Sequence, residues 1–129
     1  GGDLPFPPET FDAIVSMVAL QHIQFFPVRH RYCQEFVRVL RPGGRLLIQV
    51  NADANGEHIR WFERGVSDRY MAPDVVCDED EIRAYLHEAV GLRVVETWRT
   101  AMDTAGVSWL ENAKGLYDGW LWVLAVKPE

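Results

Sequence analysis

The chain has 129 residues, of which 48% are hydrophobic, and a formal net charge of −6. This length and composition predict one compact domain with a sizeable core. The acidic balance and the lack of a basic stripe argue against binding to nucleic acid or to an anionic membrane surface. No apolar run approaches the ~20 residues of a membrane span, and the N-terminal residues lack the pattern of a signal peptide.

The first predicted element is a strand. Residues 1–10 hold three of the seven prolines and are expected to form an extended, exposed segment. The run FDAIVSMVAL, Phe11–Leu20, is almost continuously apolar. Such a run predicts a strand that is buried on both faces, as in a parallel sheet.

A helix and a second strand follow. Apolar side chains recur at helical spacing within Val28–Leu40, which predicts an apolar stripe along a helix. The pair Gly43-Gly44 is expected to end this helix, and Arg45–Val50 (RLLIQV) is expected to form the next strand. A strand–helix–strand unit with a connection this long predicts two parallel strands and a right-handed crossover.

The second half is predicted to contain a helix and two more strands. Asp78 and Glu81 form a capping-box pattern ahead of a stripe of Ile82, Leu86 and Ala89/Val90, and Gly91 is expected to stop that helix. The acidic cluster at its start is interpreted as a response to the helix dipole. Leu92–Thr100 predicts an edge strand and Trp120–Val126 (WLWVLAV) a central one, with a short helical turn near residues 109–114 between them.

Cysteine and histidine placement predicts neither disulfides nor a metal site. Cys33 and Cys77 are isolated, so they do not make a disulfide framework, and a reducing, cytoplasmic setting is expected. His30 lies three residues before Cys33 on the first helix, but no further ligand joins them at a supporting spacing.

The order of motifs in the first 50 residues resembles a known family. LPFPPETFDAIVSMVALQHI, followed by EFVRVLRPGGRLLIQV, is similar to the second half of class I S-adenosylmethionine-dependent methyltransferases of the small-molecule type. The resemblance implies a partial Rossmann-like α/β fold with about four strands, two parallel and a C-terminal antiparallel pair, with flanking helices. It places the last strand between the second and the third. We expect a single domain over 1–129, with a core at 1–50, an aromatic connection at 51–77, and a helix with the antiparallel pair at 78–129.

The resemblance also implies a cofactor, S-adenosylmethionine, and its contacts. It places Asp3 and Leu4 near the adenine, and Ala19, Gln21 and His22 in the cleft at the carboxyl end of the first strand. Asp3 and Leu4 could equally belong to a solvated tail. The family's Gly-rich turn is absent from these residues, so tight cofactor binding by the isolated chain is not expected.

His22 is the candidate catalytic residue, because a histidine could act as a base on a substrate hydroxyl or amine. The alternative is a polar residue that bonds backbone groups at the helix entry. In the following connection, where a short helix is predicted over His58–Val66, the resemblance implies a substrate pocket. Its candidate residues, which could instead simply cap the core, are Trp61, Phe62, Tyr70 and Met71.

The strand Ala13–Leu20 is predicted to have a neighbour on only one side, and an apolar edge of this kind promotes aggregation. Two copies could pair these edges about a two-fold axis, which we favour, giving a homodimer with one eight-stranded sheet. Alternatively, the N-terminal segment could fold over the edge, or a separate chain could supply the missing half.

Two classes of function remain open. The chain could be the C-terminal part of a methyltransferase that is active only together with a cofactor-binding half. It could instead be a non-enzymatic dimeric module, derived from a methyltransferase, that binds a small molecule or a protein. A nicotinamide-binding function is a distant third, because its phosphate-binding fingerprint is also absent.

Overall fold

The computed structural model describes residues 3–17, 19–23, 25–52, 59–61, 75–100 and 119–129. These residues form one mixed sheet with helices. In chain order the elements are β1 (Phe11–Ser16), a 3₁₀ turn (Leu20–His22), α1 (Phe26–Val39), β2 (Leu40–Asn51), β3 (Ile59–Arg60), β4 (Val75–Val76), α2 (Glu79–Ala84), which continues as a π-helical turn (Tyr85–Ala89), β5 (Arg93–Thr100) and β6 (Trp120–Val126).

The predicted strand order is confirmed. β1 lies parallel to β2, with Ala13 opposite Arg45 and Ser16 opposite Ile48. β6 lies antiparallel to β2 on its other side, and β5 lies antiparallel to β6. The short strands β3 and β4, which the sequence did not indicate, extend the sheet beyond Asn51 at the carboxyl end of β2.

Both helices pack on the same face of the sheet. Leu46, Ile48 and Val50 alternate along β2 and belong to one buried cluster with Cys33 of α1 and Ile82 of α2. Alternate residues of β6 complete this layer, which follows from the two-residue side-chain period of a strand. The core therefore lies between this sheet face and the two helices.

The prediction that the first strand is buried on both faces is wrong. Ser16 is buried and Ile14 packs against the core, whereas Val15 is 59% exposed and Met17 is 51% exposed. Val15 lies opposite Leu47, on the sheet face that α1 and α2 do not cover. An apolar run alone does not reveal whether a second layer covers a strand.

The prediction that Gly43-Gly44 ends the first helix is also wrong. α1 ends at Val39, and Leu40 is already extended. The residues Arg41–Gly44 form an irregularity within β2, between the pair Phe11–Leu40 and the pair Ala13–Arg45. Gly43 has a φ of +80°, and a Cβ on Gly44 would lie 2.7 Å from the carbonyl oxygen of Arg41. These glycines therefore serve the bulge, not a helix cap.

The second helix starts and stops as predicted. The Asp78 carboxylate accepts a hydrogen bond from the Glu81 N–H at 2.7 Å, and Gly91 follows the helix with a φ of +81°. Ala89, however, is exposed rather than part of the buried stripe, and Tyr85 is buried instead. The π-helical turn that begins at Tyr85 explains the shift, since it changes which side chains face the core.

The C-terminal strands match their predictions. β5 pairs only with β6 in the described part of the chain, and Leu121, Val123 and Ala125 of β6 are fully buried. The turn predicted near residues 109–114 lies outside the described residues.

The short helix predicted in the aromatic connection is not observed at Ile59–Arg60. These two residues form a strand, because they pair with Val75–Val76. Most of the other residues of that predicted helix lie outside the described residues. Within the described ranges, no helix has the length and apolar character needed to span a membrane.

Candidate functional site

The turn after β1 lies at the carboxyl end of the parallel strands, where open α/β sheets bind their ligands. Leu20 is fully buried and anchors a single 3₁₀ turn, in which the N–H of His22 donates to the carbonyl oxygen of Ala19 at 3.1 Å. Ala19 and His22 are exposed. Gln21 belongs to the same turn, but its side chain lies outside the described set. Three of the predicted cleft residues therefore share one turn.

A buried arginine ties this turn to the aromatic connection. Arg29, in the first turns of α1, is completely buried. Its guanidinium donates to the carbonyl oxygen of Ile23 at 2.7 Å and to the carbonyl oxygen of Trp61. The same group lies 5.2 Å from the centre of the Trp61 ring and 5.7 Å from that of Phe26. Burial lowers the pKa of Arg29.

Aromatic rings surround this arginine. Trp61 is fully buried and lies edge to face with Tyr85 at 5.3 Å between ring centres. The Tyr85 hydroxyl lies 2.9 Å from Nδ1 of His30, and the His30 ring stacks on Phe26 at 5.6 Å. Burial raises the pKa of the Tyr85 phenol, so this group stays protonated. Trp61 and Tyr85 belong to the same buried cluster as Leu20, which lies in the turn that carries His22.

The predicted pocket residues divide between the described and the undescribed parts of the chain. Trp61 belongs to the cluster and is fully buried, so its side chain does not line an open surface. Phe62, Tyr70 and Met71 lie outside the described residues. The connection crosses the carboxyl edge at a fixed point, because the N–H of Trp61 also donates to the Glu81 carboxylate at 3.0 Å.

The N-terminal segment is fixed to the helix α1. The N–H of Leu4 donates to Oε1 of Glu35 at 3.0 Å, and the carbonyl oxygen of Leu4 accepts from Arg38 at 3.1 Å. Asp3 forms an exposed ion pair with Arg31 at 2.7 Å. Bonds from Arg38 and from the Leu4 N–H lower the pKa of the buried Glu35 to about 2.

The residues predicted to contact the cofactor therefore lie in two separate parts of the structure. Ala19, Gln21 and His22 share the turn after β1, whereas the described contacts of Asp3 and Leu4 lie along residues 31–38 of α1. Leu4 belongs to an ordered docked segment, which contradicts the alternative of a solvated tail for that residue. Asp3, at the exposed end of the segment, bonds to Arg31.

Sequence reasoning did not select Arg29, Glu35 or Tyr85 as important residues. The signal for Arg29 was present, since it lies one helical turn before Cys33 on the buried stripe of α1. Glu35 is also buried in the structure, although a charged residue is expected at the surface. Both positions break the apolar pattern of the helix, and both hold a neighbouring segment by its backbone.

Neither cysteine forms a disulfide, and both are buried. Burial raises the pKa of the Cys33 thiol to about 11 and also raises the pKa of the Cys77 thiol. In the described ranges, no group of three or more candidate metal ligands lies together.

Comparison with known proteins agrees with this architecture. The family described as "Methyltransferase domain" matches residues 1–48. The chain is also 32% identical over 95 residues to 27-O-demethylrifamycin SV methyltransferase from Amycolatopsis mediterranei, which covers 67% of this chain and 31% of that protein. This is a methyltransferase-like domain.

The solved structures show how much of the fold the domain represents. A SAM-dependent methyltransferase from Methanosarcina mazei superposes with a TM-score of 0.68 at 18% identity, over 98% of this domain and 64% of that chain. The domain has the mixed α/β fold of the class I methyltransferases and represents part of such a domain. It spans less than a third of the length of the rifamycin methyltransferase.

The matched N-terminal region is shared by methyltransferases with different names. Over 48 residues the domain is 46% identical to the probable tRNA methyltransferase 9B of Homo sapiens, which covers 37% of this chain and 11% of that protein. The match with the rifamycin methyltransferase extends over about twice as many residues of this domain.

Proposed function

We propose that this domain forms the acceptor-side part of an S-adenosylmethionine-dependent methyltransferase that acts on small molecules. The observation that carries the proposal is the match of residues 1–48 to the methyltransferase domain. In this chain the turn after β1 bears the exposed His22, and its Leu20 is buried in the same cluster as Trp61 and Tyr85. The longer match to a methyltransferase named for rifamycin supports a small-molecule acceptor. The net charge of −6 supports the same choice over a polyanion.

In this proposal each part of the site has a role. The turn of Ala19, Gln21 and His22 would contact both S-adenosylmethionine and the acceptor. His22 removes a proton from an acceptor hydroxyl or amine, and the fixed turn contributes proximity and alignment. S-adenosylmethionine supplies the methyl group when bound. Trp61, Phe62, Tyr70 and Met71 shape the acceptor pocket, while Asp3 and Leu4 approach the adenine.

Calorimetric titration with S-adenosylhomocysteine tests the cofactor part. Because these residues hold no Gly-rich turn, we expect the isolated chain to bind with a Kd between about 100 μM and 1 mM, or roughly −5.5 to −4.1 kcal/mol. Tighter binding would contradict the need for a separate cofactor-binding half. Heat no larger than dilution at millimolar ligand would contradict a cofactor site in this chain and favour the non-enzymatic binding module.

Two further measurements address the acceptor side. His22→Ala should reduce methyl transfer once a cofactor-binding half is supplied, whereas His87→Ala, which changes another exposed histidine, should not. Binding of an unmodified tRNA transcript tighter than about 1 μM at physiological salt would contradict the small-molecule assignment, since that affinity exceeds ordinary nonspecific binding.

We also propose that two copies of the chain pair through the free edge of β1. β1 bonds only to β2 among the described strands, and the exposed Val15 lies along the strand. The N-terminal segment bonds to α1 through Leu4, and its Phe6 packs edge to face on Phe11 at the start of β1, but it does not pair with β1 as a strand in the described structure. The backbone groups of this edge can therefore pair with a partner strand. Light scattering should show a dimer at micromolar concentration, and a monomer would refute the proposal. Val15→Lys should produce monomer, whereas Val95→Lys on the opposite edge strand, 47% exposed, should not.

A cytoplasmic setting is proposed as well. The free, buried thiols of Cys33 and Cys77 support it, because extracellular proteins more often use their cysteines in disulfides.

A further inference from the structure

Arg29 connects two segments that the chain places far apart. Its two terminal nitrogens bond the carbonyl oxygen of Ile23, which follows the His22 turn, and the carbonyl oxygen of Trp61, 32 residues away in sequence. A guanidinium is suited to this task because its planar fork can donate to two acceptors at once in a fixed relative geometry. Its position at the start of α1 makes the helix the common support of both segments.

Trp61 is held from its other side by α2. Its N–H donates to Oε1 of Glu81, so its backbone is bonded on both sides, at the carbonyl by Arg29 and at the N–H by Glu81. The preceding residue, Arg60, lies 3.1 Å from the Asp78 carboxylate and 3.2 Å from that of Glu81. The aromatic connection is therefore anchored at Arg60-Trp61 between the two helices.

We propose that Arg29 is a positioning residue that sets the distance and angle between the His22 turn and the Trp61 anchor, and so fixes the shape of the cleft in which the acceptor lies. The effect on the cleft rests on the proposed methyltransferase function. The two hydrogen bonds from Arg29 to the carbonyl oxygens of Ile23 and Trp61, called the clamp below, can be tested without that function. Arg29 does not touch the reacting atoms in this assignment; it acts through the backbone of the turn.

The clamp is tested by hydrogen exchange in Arg29→Lys. Lysine keeps the positive charge but loses the planar fork, so its single ammonium cannot hold the two carbonyl oxygens in the same fixed geometry. We expect the amides of His22, Ile23 and Trp61 to exchange about tenfold faster, while the amides of the β2–β6 ladder exchange as in the wild type. Arg83→Lys is the matched control, because the described contacts of Arg83 are to Glu79 on α2 and Thr97 on β5, not to the His22 turn or to Trp61.

The outcomes separate positioning from general support of the core. Faster exchange in the ladder to the same degree as in the turn would overturn the proposal, as would unchanged exchange at all three amides. If Arg29→Lys does not fold, nuclear magnetic resonance of the wild type decides. Slowly exchanging guanidinium protons of Arg29 are then expected, and a freely exchanging guanidinium would overturn the clamp.

The effect of Arg29 on the proposed function is measured separately, as the affinity for S-adenosylhomocysteine. The Kd for S-adenosylhomocysteine should rise about tenfold in Arg29→Lys and stay within twofold in Arg83→Lys, which corresponds to about 1.4 kcal/mol for the first variant. An unchanged Kd beside a loosened turn would overturn the role of Arg29 in the cleft. A wild-type chain that binds no S-adenosylhomocysteine would instead refute the proposed function, and the exchange experiment would still decide on the clamp.

Discussion

Replacing Gly44 with alanine is expected to be strongly destabilising, for a purely steric reason. A Cβ at this position would lie 2.7 Å from the carbonyl oxygen of Arg41, 2.9 Å from Cδ2 of Leu40 and 3.2 Å from the carbonyl oxygen of Asp12. The leucine methyl can rotate away, but the two carbonyl oxygens belong to the backbone of the bulge and of β1. Overpacking against backbone that cannot relax costs about 3 kcal/mol.

The bulge also has a partner that limits its movement. The Gly44 carbonyl oxygen accepts from the N–H of Lys127 at 2.9 Å, and the N–H of Gly43 donates to the Lys127 carbonyl oxygen at 2.8 Å. Relief of the clash would therefore strain the start of the β2–β6 ladder. For a domain of this size, a loss of about 3 kcal/mol lowers the Tm by roughly 10 °C.

Gly91→Ala provides the comparison, because a Cβ at Gly91 would meet nothing within 4 Å, and the φ of +81° leaves backbone strain as the only cost. That strain amounts to about 1 kcal/mol. Urea unfolding followed by tryptophan fluorescence gives both values, provided that the denaturant slopes stay equal. If Gly44→Ala is no more destabilising than Gly91→Ala, the steric argument for the bulge is incorrect.

Three further predictions concern caps, charges and thiols. Asp78→Ala should lower the unfolding free energy by about 1 kcal/mol through loss of the helix cap, and a variant as stable as the wild type in urea would contradict the cap assignment. The lowered pKa of Glu35, about 2, means that its contribution is complete above its unfolded pKa of roughly 4.3 and is lost as the pH falls toward 2. Acid titration of Glu35→Gln should therefore show a smaller loss of stability over that range, and identical curves would exclude this role. Cys33, whose pKa is raised to about 11, should resist a thiol reagent at pH 8 in the native state and react after unfolding, whereas rapid native labelling would contradict its burial.

The parts of the fold that follow from local pattern were predictable from the sequence. The helix stripe, the Asp78 cap and the apolar β6 each depend on residues within one or two turns of each other. The role of Gly43-Gly44 was not predictable in this way, because glycines after a helix satisfy the rule for a cap as well as the rule for a bulge. Their bulge depends on Lys127, more than eighty residues away.

The same distinction, between features set by local sequence and features set by tertiary contacts, applies to the candidate site. The position of His22 in the segment that follows the first strand is a local inference, and the structure places it in the 3₁₀ turn Leu20–His22, beyond the end of β1 at Ser16. The clamp is different, since Arg29 bonds carbonyl oxygens, which every residue possesses and no sequence pattern marks. Burial of a charged residue on an apolar stripe was the one available sign. Its partners became visible only when the tertiary structure brought Ile23 and Trp61 to the same guanidinium.

The insertion of β6 between β2 and β5 also constrains the order of assembly during synthesis. β5 leaves the ribosome before β6, yet its hydrogen-bonding partner is β6, so β5 has no place in the sheet until the later strand has emerged. β2 meanwhile can pair with β1 as soon as α1 has folded, because all three are contiguous in the chain. A nascent chain interrupted before Trp120 would thus present one paired parallel unit and one unpaired strand, and both would expose edges that chaperones recognise.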